Sequence, residues 1–330
     1  MTNSSSEQRP GEFELIAKLF APLSRKAPGA YGLTDDAATI APPLGEELVV
    51  TADLLTEGVH FRAEDPADLI ARKALRVNLS DLAAKGARPR GYFLSLALPR
   101  SVTGAWLKSF VGGLEQDQNE FALSLLGGDT TSTDGPLTIA ITAFGTLPVG
   151  TMTRRSGAKP GDLIFISGTI GDAGAGLAVL RRSHNPGPNE DALIRRYQIP
   201  DPRTVLGAAL RGVAHASLDV SDGLLADLGH IARRSGVRLL LNAERIPISP
   251  ALQSMAGSSV ETIIAAATAG DDYEIAFTIS PSAKDMIAKA SHTANTPVTE
   301  IGRVVEGEGV VLLDSAGIEI PVLKRGYEHF

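Results

Sequence analysis

The stretch SLDVSDGLLADL, residues 217–228, sets three carboxylates around the point where an apolar strand hands over to a helix. Ser217 to Val220 reads as a strand, yet Asp219 lies inside it. Asp222 follows in the turn, and Asp227 falls early in a helix predicted over 223–235. Part of this is ordinary helix chemistry. Ser221 or Asp222 is expected to cap the helix through a side-chain oxygen, and Asp227 then sits near the positive helix end. That account does not cover Asp219, because a charge inside a strand interrupts its apolar pattern.

The device recurs along the chain. GLTDDAATI places Asp35 and Asp36 in a turn, and ELVVTADLL carries Asp53 near the end of a strand. Asp81 lies in a helix among small and apolar neighbours, and Asp129 follows two glycines at a strand end. Asp271 and Asp272 come just before another strand. Each case alone has a plain reading: Asp and Gly favour turns, and Asp81 can pair with Lys85 one helical turn on. Taken together they demand more. Carboxylates gathered in one cleft repel each other and lose hydration, so a cation must hold them. The chain has no cysteine and six histidines, which points to a hard cation, Mg²⁺ or Ca²⁺, bound through oxygen. Mg²⁺ keeps several waters and bridges to phosphate oxygens, so the acids suggest a nucleotide-phosphate site.

Composition narrows the alternatives. A chain of 330 residues, 43% hydrophobic, with 34 Gly and 20 Pro, fits a loop-rich globular protein of two domains. A net charge of −7 argues against nucleic-acid binding, which needs a basic footprint. Disulfides, zinc–thiolate sites and thiol nucleophiles are excluded by the cysteine count. The opening MTNSSSEQRP has no apolar core, so no signal peptide is expected, and no apolar run reaches the ~20 residues of a membrane span. A cytoplasmic enzyme with no membrane partner is the expectation. Residues 1–10 read as a disordered tail, 11–148 as an N-terminal α/β half, and 149–330 as a C-terminal half. The first half is predicted as helix 11–23, strand 47–55, helix 66–87, strand 91–99, helix 102–118 and strands 121–128 and 137–147. PVGTMTRRSGAKPG, 148–161, reads as a linker. In the second half strands are predicted at 162–167, 216–220, 238–242, 273–279, 298–304 and 309–313. Its helices are predicted near 172–183, 203–214, 223–235 and 281–291.

No P-loop pattern is present. Gly168, Gly171, Gly174 and Gly176 follow a strand but lack dinucleotide-fold spacing, and close helix packing accounts for them. GGDTT is more informative: Gly127 and Gly128 let backbone N–H groups approach a phosphate beside Asp129. Arg154 and Arg155 either clamp a phosphate with a planar fork or belong to a solvated hinge. Ser221 has no nucleophile-elbow setting, and His230, one helix in, reads as structural. His60, in TEGVHF, leaves the Asp53 strand and can reach the same cleft.

The ordered set DDAA, TADLLTEGVHF, KALRVNLSDLAAKGA, LLGGDTT, TRRSGAKPGD, LDVSDGLLADLGHIA, GDDYE and KRGYEHF resembles the thiamine-monophosphate kinase family, within the superfamily of aminoimidazole ribonucleotide synthetase. The resemblance implies a two-domain α/β (α+β) fold. Its N-terminal mixed-sheet domain binds ATP and Mg²⁺ and pairs as a barrel across a homodimer. A C-terminal α/β domain follows, with ATP in the cleft between the two. It implies that Asp36, Thr51, Asp53, Asp81, Asp129, Asp219 and Asp222 bind several Mg²⁺ ions. Gly128, Asp129, Arg155 and Ser221 would contact ATP, and His60, Asp271 and Tyr327 the thiamine monophosphate. Asp53 and Asp129 would be catalytic without a covalent intermediate, in an in-line transfer that makes thiamine diphosphate. Two positions depart from the family pattern: Thr34 stands where Gly is usual, and Asp271 where Glu is usual. The alternatives are another ATP-using enzyme of the superfamily, such as aminoimidazole ribonucleotide synthetase, and a non-catalytic nucleotide-binding regulator.

Overall fold

The computed structural model describes residues 11–182 and 185–328. The tail expected at 1–10 lies outside them, as does residue 183 at the end of one predicted helix. The chain divides into two compact units. The first runs to Leu82 and resumes over Arg88–Val149, and the second comprises Ala83–Ala87 and the chain from Gly150 onward.

The first unit opens with an irregular helical run. A turn of α1 (Glu12–Leu15) continues as a π-helical segment, Ile16–Phe20, and a 3₁₀ segment, Ala21–Ser24. Then come β1 (Glu46–Thr56), α2 (Ala67–Ala84), β2 (Arg88–Pro99), α3 (Gly104–Phe121), β3 (Ser124–Thr133) and β4 (Thr138–Pro148). Thr103 caps α3 by accepting the Trp106 N–H, and Ala122 ends it in the left-handed region. Leu107, Phe110, Val111 and Leu114, spaced at helical period, form its buried stripe. The fully buried Asp117 of α3 accepts from Arg72 and Arg76 of α2, each Nε–O distance being 2.8 Å. Two cations on one buried carboxylate fix the two helices in register.

The four strands are ordered β1-β4-β2-β3, with β2 and β3 parallel and the other pairs antiparallel. Period-2 alternation is clear in β1. Val49 and Leu55 are buried on one face, while Leu48, Val50, Ala52 and Leu54 are exposed on the other. Thr51 and Asp53 therefore share the inner face with Val49 and Leu55.

The second unit carries β5 (Leu163–Ser167), α4 (Asp172–Leu180), α5 (Pro188–Gln198), α6 (Thr204–Leu210), β6 (Ala214–Asp219), α7 (Leu224–Ser235), β7 (Arg238–Asn242), α8 (Pro250–Ala256), α9 (Val260–Ala267), β8 (Ile275–Ile279), α10 (Lys284–Ala294), β9 (Val298–Val305) and β10 (Gly309–Leu313). Its sheet order is β10-β7-β9-β5-β8-β6; only β10 and β7 pair in parallel. Ile164, Ile166, Leu218, Leu228, Ile231 and Leu239 are among the residues of its continuous core.

Every strand expected from the sequence is present, with bounds shifted by a few residues. Three helices, α5, α8 and α9, were not anticipated. Their buried residues are few: Leu193 and Tyr197 in α5, Leu252 in α8, and Ile263, Ala266 and Ala267 in α9. So short a stripe gives no clear helical period. The linker-like segment is not free either. The Ser217 N–H donates to the Arg154 carbonyl at 2.8 Å, and the N–H groups of Gly157 and Ala158 donate to Ser235 Oγ.

Glu274, fully buried just before β8, is the densest ion-pair node of the second unit. It accepts from Arg203 Nε at 2.7 Å, Arg196 Nη2 at 2.8 Å and Ser167 Oγ at 2.5 Å. Removing its charge leaves two largely buried guanidinium groups uncompensated. Glu274→Gln is expected to lower unfolding free energy by about 3 kcal/mol, read by urea denaturation. A loss under about 0.5 kcal/mol would show that solvent already satisfies the arginines.

Candidate functional site

In the first unit the inner face of β1 meets α2. Thr51 Oγ1–H donates to Asp81 Oδ2, which ties the strand to the helix at its acidic residue. Burial, and then the negative charge of Asp81, push the Asp53 carboxyl up to about 6. Asp53 and Asp81 thus form a repelling pair rather than a salt bridge. Asp81 bonds Thr51, while Lys85 donates to the Ser217 carbonyl at 2.7 Å within the second unit, so each has a partner other than the expected helical pairing. Just beyond β1 the Thr56 N–H donates to His60 Nδ1 at 3.0 Å. An N–H donor at Nδ1 leaves the imidazole proton on Nε2.

A second group of predicted residues lies elsewhere in the same unit. A groove of about 580 Å³ between the opening helical run and β2–β3 is lined by Phe20, Leu33, Asp35, Asp36, Gly128 and Asp129, among others. Such a volume suits a small molecule with an apolar body and a charged end. Asp36 and Asp129 are exposed. Gly128 has a packing reason of its own, since a Cβ there would lie 1.7 Å from the Leu94 carbonyl oxygen on β2.

The second unit arranges the remaining residues around the 219–223 loop. Asp219 is 6% exposed, and Ser221 and Asp222 are half-buried. Neither Ser221 nor Asp222 caps α7, whose N-cap is Gly223, without a side-chain bond. Asp227 takes that role from inside the helix. Its Oδ2 accepts from the N–H groups of Ser221, Asp222 and Gly223 at 3.0, 3.0 and 3.2 Å. Burial, and then the Asp222 charge, raise the Asp227 carboxyl to about 7, while the three N–H groups oppose the shift.

The loop's carbonyls are used as well. The Tyr273 N–H donates to Val220 O, the Asp271 N–H to Ser221 O and the Tyr327 N–H to Asp222 O, each at 2.8 Å. A Cβ on Gly326 would fall 2.5 Å from Asp222 O, so the tail approaches closely only because it is glycine. Ser221, Asp222, Asp271 and Tyr327 are therefore joined through one backbone network, which starts at Val220, the residue after Asp219. Asp271 has φ +63° and accepts from the Tyr273 hydroxyl at 3.1 Å. Asp tolerates the left-handed region better than most residues, which rationalises the shorter acid at this position. Arg155 is exposed. His230 is held below its ordinary value by burial, then by the charges of Arg233 and Arg155.

Sequence reasoning missed the Asp227 clamp and the groove's apolar wall. The clamp's signal is the four-residue step from Gly223 to Asp227, and the wall's is Phe20, the buried end of the opening helical run. Among the described residues, no three of His, Asp and Glu gather closely enough to hold a metal ion by themselves.

The AIR synthase related protein families match here, the N-terminal domain over residues 34–147 and the C-terminal domain over 159–315. A thiamine-monophosphate kinase of Caulobacter vibrioides is 46% identical over 304 residues, 91% of this chain and 86% of the relative. The crystal structure of thiamine-monophosphate kinase from Stenotrophomonas maltophilia superposes with a TM-score of 0.79 at 42% identity, covering 85% of this chain and 89% of that one. AaThiL, solved in complex with AMPPCP and TMP, gives a TM-score of 0.77 at 33% identity over 97% of both chains.

The Asp227 clamp makes a separable expectation. Asp227→Ala strands three N–H groups in a half-buried loop and should cost about 2–3 kcal/mol in urea unfolding. Asp227→Asn keeps an acceptor oxygen and should recover more than half of that loss. Equal losses for the two variants would mean that the charge, and not the geometry of acceptance, holds the loop.

Proposed function

This chain belongs to the thiamine-monophosphate kinase family, and we propose from that premise that it transfers the terminal phosphoryl group of ATP to thiamine monophosphate, giving ADP and thiamine diphosphate. The observation that supports the reading is the joining of Ser221, Asp222, Asp271 and Tyr327 in one backbone network, since these residues are proposed for nucleotide, cation and substrate.

The donor set fits magnesium. Asp36, Thr51, Asp53, Asp81, Asp129, Asp219 and Asp222 offer oxygen only, which suits a hard cation and not a soft one. Burial, and then Asp81, raise the Asp53 carboxyl, and a divalent cation there would favour its ionised form. Bound there, Mg²⁺ would supply charge neutralisation between the two polyanionic substrates.

The chain's own residues do the rest. A phosphate oxygen of thiamine monophosphate is already ionised, so no strong general base is needed. It bonds to the γ-phosphorus as the bond from that phosphorus to the β–γ bridging oxygen breaks, and ADP leaves with the electron pair. Two unit charges ~4 Å apart repel by about 4 kcal/mol at an effective dielectric of ~20, so positioning and charge compensation decide the rate. Arg155 offers a planar fork to an ATP phosphate, and Gly128 and Ser221 are the further nucleotide contacts of this reading. His60 presents its Nε2–H to the acceptor phosphate. Asp271 faces the thiazolium charge, and the exposed Tyr327 ring, 47% accessible, is available to stack on it. Asp53 and Asp129 act by holding charge and form no covalent intermediate. Second-copy association is supported by the exposed apolar face of β1. Among the described residues no helix is long and apolar enough to cross a membrane.

Purified protein supplied with Mg²⁺, ATP and thiamine monophosphate is expected to yield thiamine diphosphate, and none from free thiamine. Asp53→Ala, Asp81→Ala, Asp129→Ala and Asp219→Ala should each slow turnover by at least ~100-fold, as loss of charge stabilisation in the transition state does. Near-normal turnover in any two would sink the cation assignment. Asp271→Asn tests the substrate pocket: KM for thiamine monophosphate should rise well above wild type while KM for ATP holds. An unchanged KM would leave Asp271 as a turn residue only.

A further inference from the structure

Asp271 sits in a strained turn. Gly270, Asp271 and Tyr273 lie at φ +80°, +63° and +51°. Two of these carry side chains, and left-handed backbone persists at such residues only where the surroundings enforce it. Burial alternates through the segment. Asp271 and Tyr273 are half-buried, and the Tyr273 hydroxyl donates to Asp271 Oδ1 at 3.1 Å. Asp272 and Glu274, between and after them, are buried.

The supports of the turn lie on its buried side. The Gly171 N–H, at the start of α4, donates to the two Asp272 carboxylate oxygens at 2.9 and 3.0 Å. Arg196, near the end of α5, bonds the turn at two points. Its Nη2 donates to the Asp272 carbonyl at 3.2 Å and to Glu274 Oε1 at 2.8 Å. Arg203 donates to the same Glu274 carboxylate, but its other partner is Asp201, outside the turn. Of the two arginines on Glu274, Arg196 is the one that also holds the turn's backbone.

The glycine run 168–176 makes room for this arrangement. A Cβ on Gly168 would overlap the Glu274 carboxylate, and one on Gly176 would overlap the Leu193 carbonyl of α5, three residues before Arg196. Gly168 thus admits the acid, and Gly176 lets α5 close on α4 with Arg196 at the turn. The 219–223 loop has a separate support, because Asp227 holds the N–H groups of Ser221, Asp222 and Gly223. The turn meets that loop through the Asp271 N–H on Ser221 O and the Tyr273 N–H on Val220 O. Loosening the turn would free two loop carbonyls and leave the Asp227 clamp in place.

We propose that Arg196 is a positioning residue for the substrate: by bonding the Asp272 carbonyl and the Glu274 carboxylate together, it fixes the left-handed turn that aims Asp271 at the thiazolium of thiamine monophosphate. This rests on the kinase reading above and on Asp271 as a substrate contact.

Two variants separate charge from geometry. Arg196→Met removes the charge and the donors, and Arg196→Lys keeps the charge without the planar fork. KM for thiamine monophosphate should rise at least ~10-fold in Arg196→Met, while KM for ATP changes less than ~3-fold. Arg196→Lys should fall between Arg196→Met and wild type. Arg203→Met strips a cation from the same carboxylate without touching the turn's backbone. It should lose stability in urea yet keep KM for thiamine monophosphate within ~2-fold of wild type. In an Asp271→Ala background Arg196→Met should add less than ~2-fold, because its effect runs through Asp271. Hydrogen exchange reads the turn without turnover: the 270–274 amides should exchange at least ~10-fold faster in Arg196→Met than in wild type. An unchanged KM in a folded Arg196 variant, an equal shift in Arg203→Met, or effects that multiply with Asp271→Ala would each overturn the proposal. If wild type makes no thiamine diphosphate, the kinase reading fails. Faster exchange in Arg196→Met would then still show that Arg196 holds the turn, and unchanged exchange would overturn that as well.

Discussion

Repulsion between carboxylates is the constraint around which this chain is organised. Asp53 lies beside Asp81, and Asp222 beside Asp227; burial leaves each pair little water to screen it. Asp272, wholly buried, is pushed well above the ordinary carboxylate range by burial, held back by the Gly171 N–H and then by Arg196. Where the acid serves the scaffold, the fold supplies the compensation itself. Glu274 has Arg196 and Arg203, and Asp117 has Arg72 and Arg76. At the Asp53–Asp81 pair, Asp81 accepts from the Thr51 hydroxyl, and the Asp53 carboxyl is raised by burial and then by Asp81. Such a pair is costly in the empty protein and favourable once a divalent cation arrives, which is a preorganised binding site in electrostatic terms.

The second unit solves a related problem with backbone rather than charge. A loop that presents Asp219, Ser221 and Asp222 must not collapse onto itself, and its polar groups must be satisfied. Asp227 occupies three of its N–H groups, while the 271–273 turn and the tail at Tyr327 occupy three carbonyls. The residues proposed to contact thiamine monophosphate thus hang from the peptide groups of the residues proposed to contact nucleotide and cation. A shift in either segment is transmitted to the other through single hydrogen bonds. Small residues permit this closeness: Gly326 touches Asp222 O, and Gly270 approaches Ser221 O, where a Cβ would come within 2.7 Å.

Much of this was legible in the sequence. β1 was placed at 47–55 and runs over Glu46–Thr56, and the acids stood out because Asp219 and Asp81 interrupt otherwise apolar or small-residue runs. What stayed hidden was long-range. That Asp53 and Asp129 occupy opposite edges of one sheet depends on the β1-β4-β2-β3 order, which no local pattern encodes. The capping of α7 by Asp227 was hidden for a different reason. Ser221 and Asp222 are better N-cap types by position, and only the backbone path shows that Gly223, at φ +120°, takes the cap and frees them. Gly128 was read as making room for a phosphate, while its neighbour across the strands, Leu94, already requires a glycine there.

The central claim is that these acids exist to bind cations beyond the one that accompanies ATP. It is tested most directly by counting ions: equilibrium Mn²⁺ binding to the intact protein by electron paramagnetic resonance, with and without a non-hydrolysable ATP analogue. The expected result is more than one Mn²⁺ per chain in the presence of the analogue, falling when Asp81 is changed to Asn. One Mn²⁺ per chain that arrives and leaves with the nucleotide, unaffected by Asp81→Asn, would contradict it.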